Sequence, residues 1–315
     1  MQDFKYIFGP VRSSRLGLSL GLDLTGDRIC SFDCLYCESG KTRVRTIQRQ
    51  PLAPADQIRA ELESRLEAGL PGLDCITLGG PGEPTLNSSL GAILRQVNRT
   101  CPDMPTAVLT NSSLLNQARV RDELCLADIV LPSLDSVVEQ EFRKVNRPHP
   151  DIRLEEIIQG LLDFRAVFQG KIYLEVLLLP GINDSDRNIA GLREFTARFR
   201  PDRVDVTTMT RPGAYLTEIH DDSFLDKVRK KLCIQTASAR NQSKILHASG
   251  QLPGEILSMI ASSIRIRPQT QAQLSTALNI PEQDVARALK ELVSQGRAEE
   301  VQATHQQKKF YISRG

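Results

Sequence analysis

Short apolar runs alternate with stretches of helical spacing along most of this chain. One such stretch carries Ile58, Leu62 and Leu66 on one face, which predicts a helix. Similar spacing returns after the later apolar runs and predicts further helices, among them those at residues 86–98, 136–144 and 222–235. The runs themselves predict six strands, at residues 19–24, 74–78, 106–109, 129–134, 172–179 and 203–208. Strands that alternate with helices and are apolar almost throughout are typical of a parallel sheet covered on both faces. The predicted fold class is therefore α/β.

The periodicity weakens over residues 237–252, which we interpret as a linker. Beyond it the pattern predicts three helices and two short strands, at residues 253–263, 269–278, 281–295, 298–301 and 310–313. This is the element order of a winged helix-turn-helix domain, and the segment from Leu274 to Leu289 is similar to that family. The chain is therefore predicted to comprise a large domain at residues 1–236, the linker, and a small C-terminal domain at residues 253–315.

Composition and charge indicate an ordinary globular protein rather than a membrane or secreted one. The chain has 315 residues, of which 40% are hydrophobic and 25% charged, as in ordinary globular proteins. Its formal net charge of +2 gives no attraction of the whole surface to nucleic acid or lipid. No apolar run approaches the roughly 20 residues that span a bilayer, and the first residues lack the features of a signal peptide. We expect a cytoplasmic protein with no membrane partner.

Three cysteines stand close together near the N-terminus, at Cys30, Cys34 and Cys37. Three thiolates on one short loop can hold three corners of a 4Fe-4S cluster, which leaves the fourth iron open for chemistry. The alternative is that these are ordinary buried cysteines, but Asp33 and Glu38 make the loop polar. We therefore predict that the three cysteines are the metal ligands and form the catalytic centre.

Four further cysteines are widely spaced: Cys75, Cys101, Cys125 and Cys233. An odd total of seven with one tight group suits metal binding in a reducing compartment better than a set of disulfides. Cys75 lies in an apolar run and is predicted to be core. The other three lack the paired spacing that a second cluster would favour.

Polar residues and glycines follow the predicted strands, at the end where a parallel barrel carries its chemistry. Glycine in the turn Gly79-Gly80-Pro-Gly-Glu83 lets the backbone approach a ligand, although an ordinary strand-to-helix turn is the alternative. Glu175 is an acid inside an apolar run, so we expect it to meet a ligand or a paired base. The remaining candidates for ligand contacts are Asn111, Ser133 and Arg211. Asp135 is either a ligand contact or a helix N-cap, and Arg12 and Arg15 either bind an anion or are solvated loop charges.

The cysteine motif, with aromatic Tyr36 directly before Cys37, resembles the signature of the radical S-adenosylmethionine enzymes. The resemblance implies an open, six-stranded partial (β/α)6 TIM-like barrel. This expectation rests on the resemblance, because periodicity alone does not distinguish such a barrel from a doubly wound sheet. It also implies S-adenosylmethionine chelated to the open iron of the cluster, and an electron donor of the flavodoxin or ferredoxin type. The cofactor-binding residues it implies are Tyr36 near the adenine and Gly79, Gly80 and Glu83 at the methionine amino group. From their places at the other strand ends we also predict cofactor contacts for Asn111, Ser133, Glu175 and Arg211, with a substrate anion as the alternative for Arg211.

Further segments over residues 5–235, among them Gly-Glu-Pro-Thr-Leu, Asn146-Arg-Pro-His149 and Pro-Gly-Ile-Asn-Asp, resemble one branch of this superfamily. This branch comprises iron-sulfur oxidoreductases related to the wyosine-base enzymes that modify transfer RNA. Those enzymes use a second cluster, whereas this sequence has no second compact cysteine group. The resemblance therefore leaves the substrate unidentified.

Three hypotheses of function follow. The first is an enzyme that cleaves S-adenosylmethionine reductively to a 5′-deoxyadenosyl radical, which abstracts hydrogen from its substrate. The others are an iron-sulfur-dependent DNA-binding regulator and a radical enzyme that modifies transfer RNA or another nucleic acid. The predicted winged helix would bind nucleic acid through Gln283, Arg287, Lys290, Lys308 and Lys309. From residue 251 onward, however, eight Lys or Arg face six Asp or Glu, a thin surplus for binding phosphates.

Overall fold

The computed structural model describes residues 4–13, 15–67, 72–232, 253–302 and 308–314. The predicted linker, the end of the predicted large domain and the end of the helix predicted at 222–235 lie outside these residues. The strands are β1 (Ile7–Ser13), β2 (Gly17–Asp23), β3 (Ile29–Cys30), β4 (Val44–Arg45), β5 (Cys75–Gly79), β6 (Thr106–Thr110), β7 (Ile129–Pro132), β8 (Lys171–Leu177), β9 (Arg203–Thr207), β10 (Ala298–Gln302) and β11 (Lys309–Ser313).

Helices follow most of the strands. They are α1 (Ala55–Glu67), α2 (Leu90–Thr100), α3 (Ala118–Leu124), α4 (Glu139–Asn146), α5 (Leu154–Val167), α6 (Asp186–Phe199), α7 (Asp222–Lys231), α8 (Pro253–Ile266), α9 (Gln271–Leu278) and α10 (Glu282–Ser294), with a single 3-10 turn at Pro84–Leu86. Among the described helices, none is both long and apolar enough to cross a membrane.

The main sheet has the strand order β1-β2-β5-β6-β7-β8-β9. The six strands from β2 onward are parallel and stand in chain order, with register pairs such as Leu22 with Leu78 and Glu175 with Asp205. All six were predicted from the apolar runs. This arrangement is a mixed α/β fold consistent with a partial TIM-like barrel, and it brings the polar strand ends to one edge.

Strand β1 was not predicted, because its Gly9-Pro10 pair suggests a turn. It pairs antiparallel with β2, and the register shifts between Phe8 and Val11. Proline lacks an N–H group and is tolerated at such an irregularity on an edge strand. Burial of Ile7, Phe8 and Val11 supplies the apolar contacts that keep this segment in the sheet.

Several helices begin later than their apolar spacing predicts. The helix predicted at 86–98 begins instead at Leu90, because the backbone at Asn87 is extended (φ −72°, ψ 114°). Asn87 Nδ2 donates to the carbonyl oxygens of Leu24 (2.9 Å) and Ala53 (3.1 Å). In the helix predicted at 136–144, Ser136 Oγ donates to Asn188 Oδ1 at 3.0 Å, and α4 begins three residues later. Tertiary hydrogen bonds of short polar side chains thus override the local pattern.

Residues 253–302 and 308–314 have their own hydrophobic core, built from α8, α9, α10 and the β10–β11 hairpin around Ile260, Leu274 and Leu289. A small second cluster joins this C-terminal unit to the main sheet, where Ile266 packs against Phe8 and Val11 of β1. Next to this cluster, Ser39 Oγ donates to the Ile266 carbonyl oxygen at 3.0 Å. The C-terminal unit is therefore anchored beside the cysteine loop.

Candidate active site

The three predicted cysteines lie on one loop that leaves the short strand β3. Cys30 ends β3, and the Cys37 amide donates to the Cys34 carbonyl oxygen at 3.2 Å, which closes a turn between the second and third cysteines. Burial raises the pKa of all three thiols above the ordinary value, and the nearby Glu83 carboxylate adds to the effect at Cys30. A coordinating metal would remove these protons outright.

Amide groups point at two of the sulfurs. The Phe32 backbone N–H and Asn111 Nδ2 both lie 3.4 Å from Cys30 Sγ, and Asn146 Nδ2 lies 3.5 Å from Cys34 Sγ. Donors placed in this way stabilise thiolate ligands and tune the group they bind. In the described part of the chain, no three His, Cys, Asp or Glu side chains converge on a single ion. Each thiolate of a 4Fe-4S cluster binds a different iron, so the three cysteines fit a cluster better than a lone ion.

Tyr36 is fixed by a buried hydrogen-bond network. Its hydroxyl donates to Asp135 Oδ2, which also accepts from Asn146 Nδ2 at 2.6 Å. The other Asp135 oxygen accepts from the Leu177 backbone N–H at 2.8 Å. Burial raises the pKa of Asp135, and these donors partly offset the effect. The alternative prediction that Asp135 caps a helix is wrong, because Val138 occupies the N-cap of α4.

The glycine turn after β5 comes close to the cysteine loop. Gly80 has φ +119°, and a Cβ added there would lie 2.6 Å from Asp23 Oδ1. At Gly82 a Cβ would lie 2.2 Å from the carbonyl oxygen of Ile29, next to Cys30. Gly79 has more room, since the nearest atom to an added Cβ is Leu109 Cβ at 3.9 Å. Glycine is thus required at residues 80 and 82 for the turn to fit between the loop and β2.

Glu83, predicted to contact the cofactor, is only 2% exposed. Its Oε1 accepts from the hydroxyls of Thr85 (2.6 Å) and Thr110 (2.7 Å), and its Oε2 accepts from the Asn111 backbone N–H (2.8 Å). Burial raises the pKa of this carboxyl, and the hydrogen bonds partly offset the effect. In this structure the carboxylate therefore holds the end of β6, and with it the Asn111 amide that faces Cys30.

A cavity of about 690 Å³ opens beside Tyr36 and Cys37, at the carboxyl ends of β8 and β9. Ser133, Glu175 and Arg211, all predicted as site residues, lie in its wall. Glu175 pairs with Arg15, so it has the base partner that the sequence led us to expect. The Arg15 side chain is therefore not a solvated loop charge. Arg12 lies in the same wall.

Arg211 joins the cavity to the cysteine loop. Its Nη1 lies 3.1 Å from both carboxylate oxygens of Glu38, the residue after Cys37. Gly213 packs against the backbone of Tyr36, where an added Cβ would lie 3.1 Å from the Tyr36 Cα. The loop after β9 thus lies directly against the third cysteine.

Some neighbours of the site were not identified from the sequence. Asn146 ends α4 far from the cysteines in sequence, and its one signal was the Asn-Arg-Pro-His segment that contributed to the family resemblance. Arg203 and Asp205 on β9 pair at 2.8 Å and line the cavity, yet in sequence they are unremarkable strand residues. Arg267 reaches the cavity from the C-terminal unit, and no local pattern predicts that contact.

The remaining predicted residues lie away from this site. Cys75 is buried as predicted, whereas Cys101 is half-buried and Cys125 exposed; Cys233 lies outside the described residues. On the C-terminal unit, Arg287 lies 3.4 Å from Asp284 and Lys309 lies 2.9 Å from Glu300. Both basic side chains thus have acidic neighbours on the surface predicted to bind nucleic acid.

Several proteins similar to this chain are named as enzymes. A family model described as the Radical SAM superfamily matches residues 27–192. A UPF0026 protein from Synechocystis sp. is 36% identical over 69% of this chain and 80% of its own length. A protein named GTPase Obg from Brachyspira hyodysenteriae is 31% identical over 94% of this chain, which spans 44% of that longer protein. The crystal structure of a radical SAM methyltransferase from Sphaerobacter thermophilus shares the fold with a TM-score of 0.50, at 19% identity over 68% of this chain and 63% of that one.

Proposed function

This chain belongs to the radical SAM superfamily and is a homologue of the UPF0026 proteins, and on that premise we propose that it removes a hydrogen atom from a substrate held in the cavity beside Cys37. When bound, the 4Fe-4S cluster and S-adenosylmethionine supply reductive cleavage to methionine and a 5′-deoxyadenosyl radical that abstracts the hydrogen atom. The observation that carries the proposal is that Cys37, on the same loop as two cysteines that accept from side-chain amides, lines a cavity large enough for a small-molecule ligand.

The residues around the loop have distinct parts in this proposal. Cys30, Cys34 and Cys37 hold the cluster, with the Asn111 and Asn146 amides donating to two of the sulfurs. The ring of Tyr36 would pack against the adenine. It is held in place because its hydroxyl donates to Asp135 and because Gly213 packs against its backbone. Asp135 and Asn146 are positioning residues, since they act through Tyr36 and Cys34.

The strand ends supply the remaining cofactor contacts. The backbone at Gly79 and Gly80 receives the methionine amino group, as glycine permits a ligand to approach the main chain. Ser133 stands at the end of β7 in the cavity wall, and its carbonyl oxygen accepts from Ser112 Oγ at 2.8 Å. Glu83 holds this region in place by bonding the end of β6.

Basic side chains border the cysteine loop on the outer surface. Lys41 and Arg45 are exposed, and Lys41 and Arg147 both face the ring of Tyr215, at 4.8 and 4.5 Å from its centre. An acidic electron donor of the flavodoxin or ferredoxin type would be attracted to such a surface. We therefore place the route of the electron on this side of the loop.

The C-terminal unit forms a domain of its own in this proposal, covering residues 253–315 in the manner of a winged helix, after a first domain at residues 1–236. Its separate hydrophobic core supports this division. Its contact with β1 beside the cysteine loop favours a part in the enzyme over that of an independent DNA-binding regulator. The acidic neighbours of Arg287 and Lys309 also disfavour a phosphate-binding face on α10 and the hairpin.

A direct chemical assay tests the function. The cluster is reconstituted without oxygen, S-adenosylmethionine and dithionite are added, and 5′-deoxyadenosine and methionine are quantified. We expect both products to form, and Cys34→Ala to abolish them together with the absorbance of the cluster. Cys125→Ala is the matched control, because this exposed cysteine lies away from the loop and its loss should leave the yield unchanged. No 5′-deoxyadenosine from a protein with an intact cluster would refute the proposal.

A further inference from the structure

The turn that follows α8 carries a basic side chain from the C-terminal unit to the cavity of the main domain. Arg267 comes directly after Ile266, whose side chain packs on β1 and whose carbonyl oxygen accepts from Ser39 Oγ. These two contacts fix the backbone next to Arg267. The half-buried Arg267 side chain lines the cavity together with residues of β8 and β9. The site is therefore completed by a residue from outside the barrel.

Most of the other charged side chains in the cavity wall form ion pairs with one another. Four arginine–carboxylate pairs line it among the described residues: Arg15 with Glu175, Arg203 with Asp205, Arg211 with Glu38, and Arg229 with Asp226. In the same part of the chain, no carboxylate lies within ion-pair distance of Arg267. Its guanidinium thus adds positive charge to a wall whose acids already have partners.

Two further observations show that the wall can accept an anion. Arg211 Nε is buried and donates to no described atom, although an N–H at such a site ordinarily has an acceptor. Burial, and then the charge of Arg211, lower the pKa of Arg267 to about 10, and Glu38 partly offsets the effect. The side chains of Arg267, Arg211 and Arg15 line the same cavity, so an anion bound there could accept from more than one guanidinium group.

We propose that Arg267, acting with Arg211 and Arg15, binds a phosphoryl group of the substrate and so makes the C-terminal unit part of the active site. Guanidinium groups that converge from three segments suit a phosphoryl group, because its several oxygens can accept from more than one donor at a time. The proposal rests on the function proposed above and names the chemical class of its substrate. The phosphoryl group belongs either to a small phosphate ester or to a nucleic acid backbone.

Binding of two probes to the reconstituted holoenzyme, with S-adenosylmethionine present and no reductant, tests this assignment. The probes are inorganic pyrophosphate and a single-stranded RNA oligonucleotide, measured by calorimetry. We expect at least one probe to bind, and Arg267→Met to weaken it by about tenfold or more, because a charge-assisted hydrogen bond is lost. Arg267→Lys should restore part of the affinity, since it keeps the charge but not the fork of donors.

Controls separate this role from folding and from cofactor binding. Arg314→Met removes an exposed arginine that follows β11 in the same unit and should change neither affinity. The thermal midpoint of Arg267→Met should equal that of the parent protein. Its affinity for S-adenosylmethionine should also be unchanged, and an equal loss there would overturn the proposal by assigning Arg267 to the cofactor carboxylate.

The probes also distinguish the sources of the phosphoryl group. Pyrophosphate binding that depends on Arg267 indicates a small phosphate ester, and binding of the oligonucleotide alone with the same dependence indicates a nucleic acid. If neither probe binds, or if Arg267→Met binds both as well as the parent does, the proposal is wrong. Because these measurements need no turnover, they are independent of 5′-deoxyadenosine formation, whose absence would instead refute the proposed function.

Discussion

Asn146 illustrates how single polar side chains organise the surroundings of the cysteines. Its Nδ2 lies 2.6 Å from Asp135 Oδ2, 3.4 Å from the Tyr36 hydroxyl and 3.5 Å from Cys34 Sγ. Both Asn146 and Asp135 are almost wholly buried. A buried carboxylate is stable only when donors surround it, so the Asn146 amide supports the group on which Tyr36 is anchored.

Asn146→Asp should therefore destabilise the protein, because it replaces the amide that donates to the buried Asp135 carboxylate by a second carboxyl group. We expect a loss of about 2 kcal/mol or more in the free energy of unfolding, measured by urea denaturation of the cluster-free protein at neutral pH. Asn116→Asp is the matched control. Asn116 Nδ2 also donates to a carboxylate, Glu156 at 3.0 Å, but on the exposed surface, where the cost should stay below about 0.5 kcal/mol. Equal losses in the two variants would contradict this account.

At the scale of elements, the loops that precede α6 and α7 are joined by the His220 side chain. Ser185 and Asp221 cap the two helices, accepting from the backbone N–H groups of Asn188 (3.1 Å) and Phe224 (2.7 Å). The His220 ring stacks on Phe224 with ring centres 3.7 Å apart, and its Nε2 lies 3.2 Å from Asp184 Oδ2. The start of α7 is thus fixed to the loop after β8, beside the cavity.

The titration of His220 should make stability depend on pH. Burial lowers the pKa of His220 below 6.5, and Asp184 partly offsets the effect. The folded protein then takes up this proton less readily than the unfolded chain. The stability that neutral His220 gives to the folded protein is therefore fully present above the pKa of the unfolded chain, and it is lost as the pH falls through the pKa of the folded protein. Relative to His220→Phe, which keeps the ring stacking, the parent protein should lose stability between about pH 7.5 and 5.5. Parallel profiles in chemical denaturation at several pH values would show that His220 does not titrate in this way.

At the scale of the whole molecule, two hydrophobic cores meet where α8 and α9 lie against β1. The core of the main domain surrounds the parallel sheet, and that of the C-terminal unit lies between its three helices and hairpin. Phe8, Val11 and Ile266 form the apolar cluster between them. This contact is what brings Arg267 to the cavity, so it couples the position of the C-terminal unit to the chemistry of the barrel.

Ile266→Asp should uncouple the two units, since Ile266 is only 7% exposed and a charge there would be buried in apolar surroundings. Calorimetry of the cluster-free protein should show one unfolding transition for the parent chain and two for the variant. Val293→Asp, at a side chain of α10 that is 40% exposed, should leave a single transition. A single transition for Ile266→Asp as well would mean that this cluster does not couple the units.

The sequence by itself determined the alternation of strands and helices, the cysteine loop and the glycine turn. Periodicity and motif spacing are local properties, and they led to the six parallel strands and to the family that the comparisons show. Edge strand β1 was missed, because its Gly9-Pro10 pair outweighed apolar residues whose burial depends on partners elsewhere.

Only the tertiary structure decided which charged side chains form ion pairs. Arg15 pairs with Glu175 across 160 residues, and Arg211 pairs with Glu38 across 173. Arg267 reaches the same cavity from a unit with a separate core. Such contacts arise when distant elements pack together, and no local period encodes them. The family could therefore be predicted from the chain, whereas the arginine-lined cavity became visible only in the folded molecule.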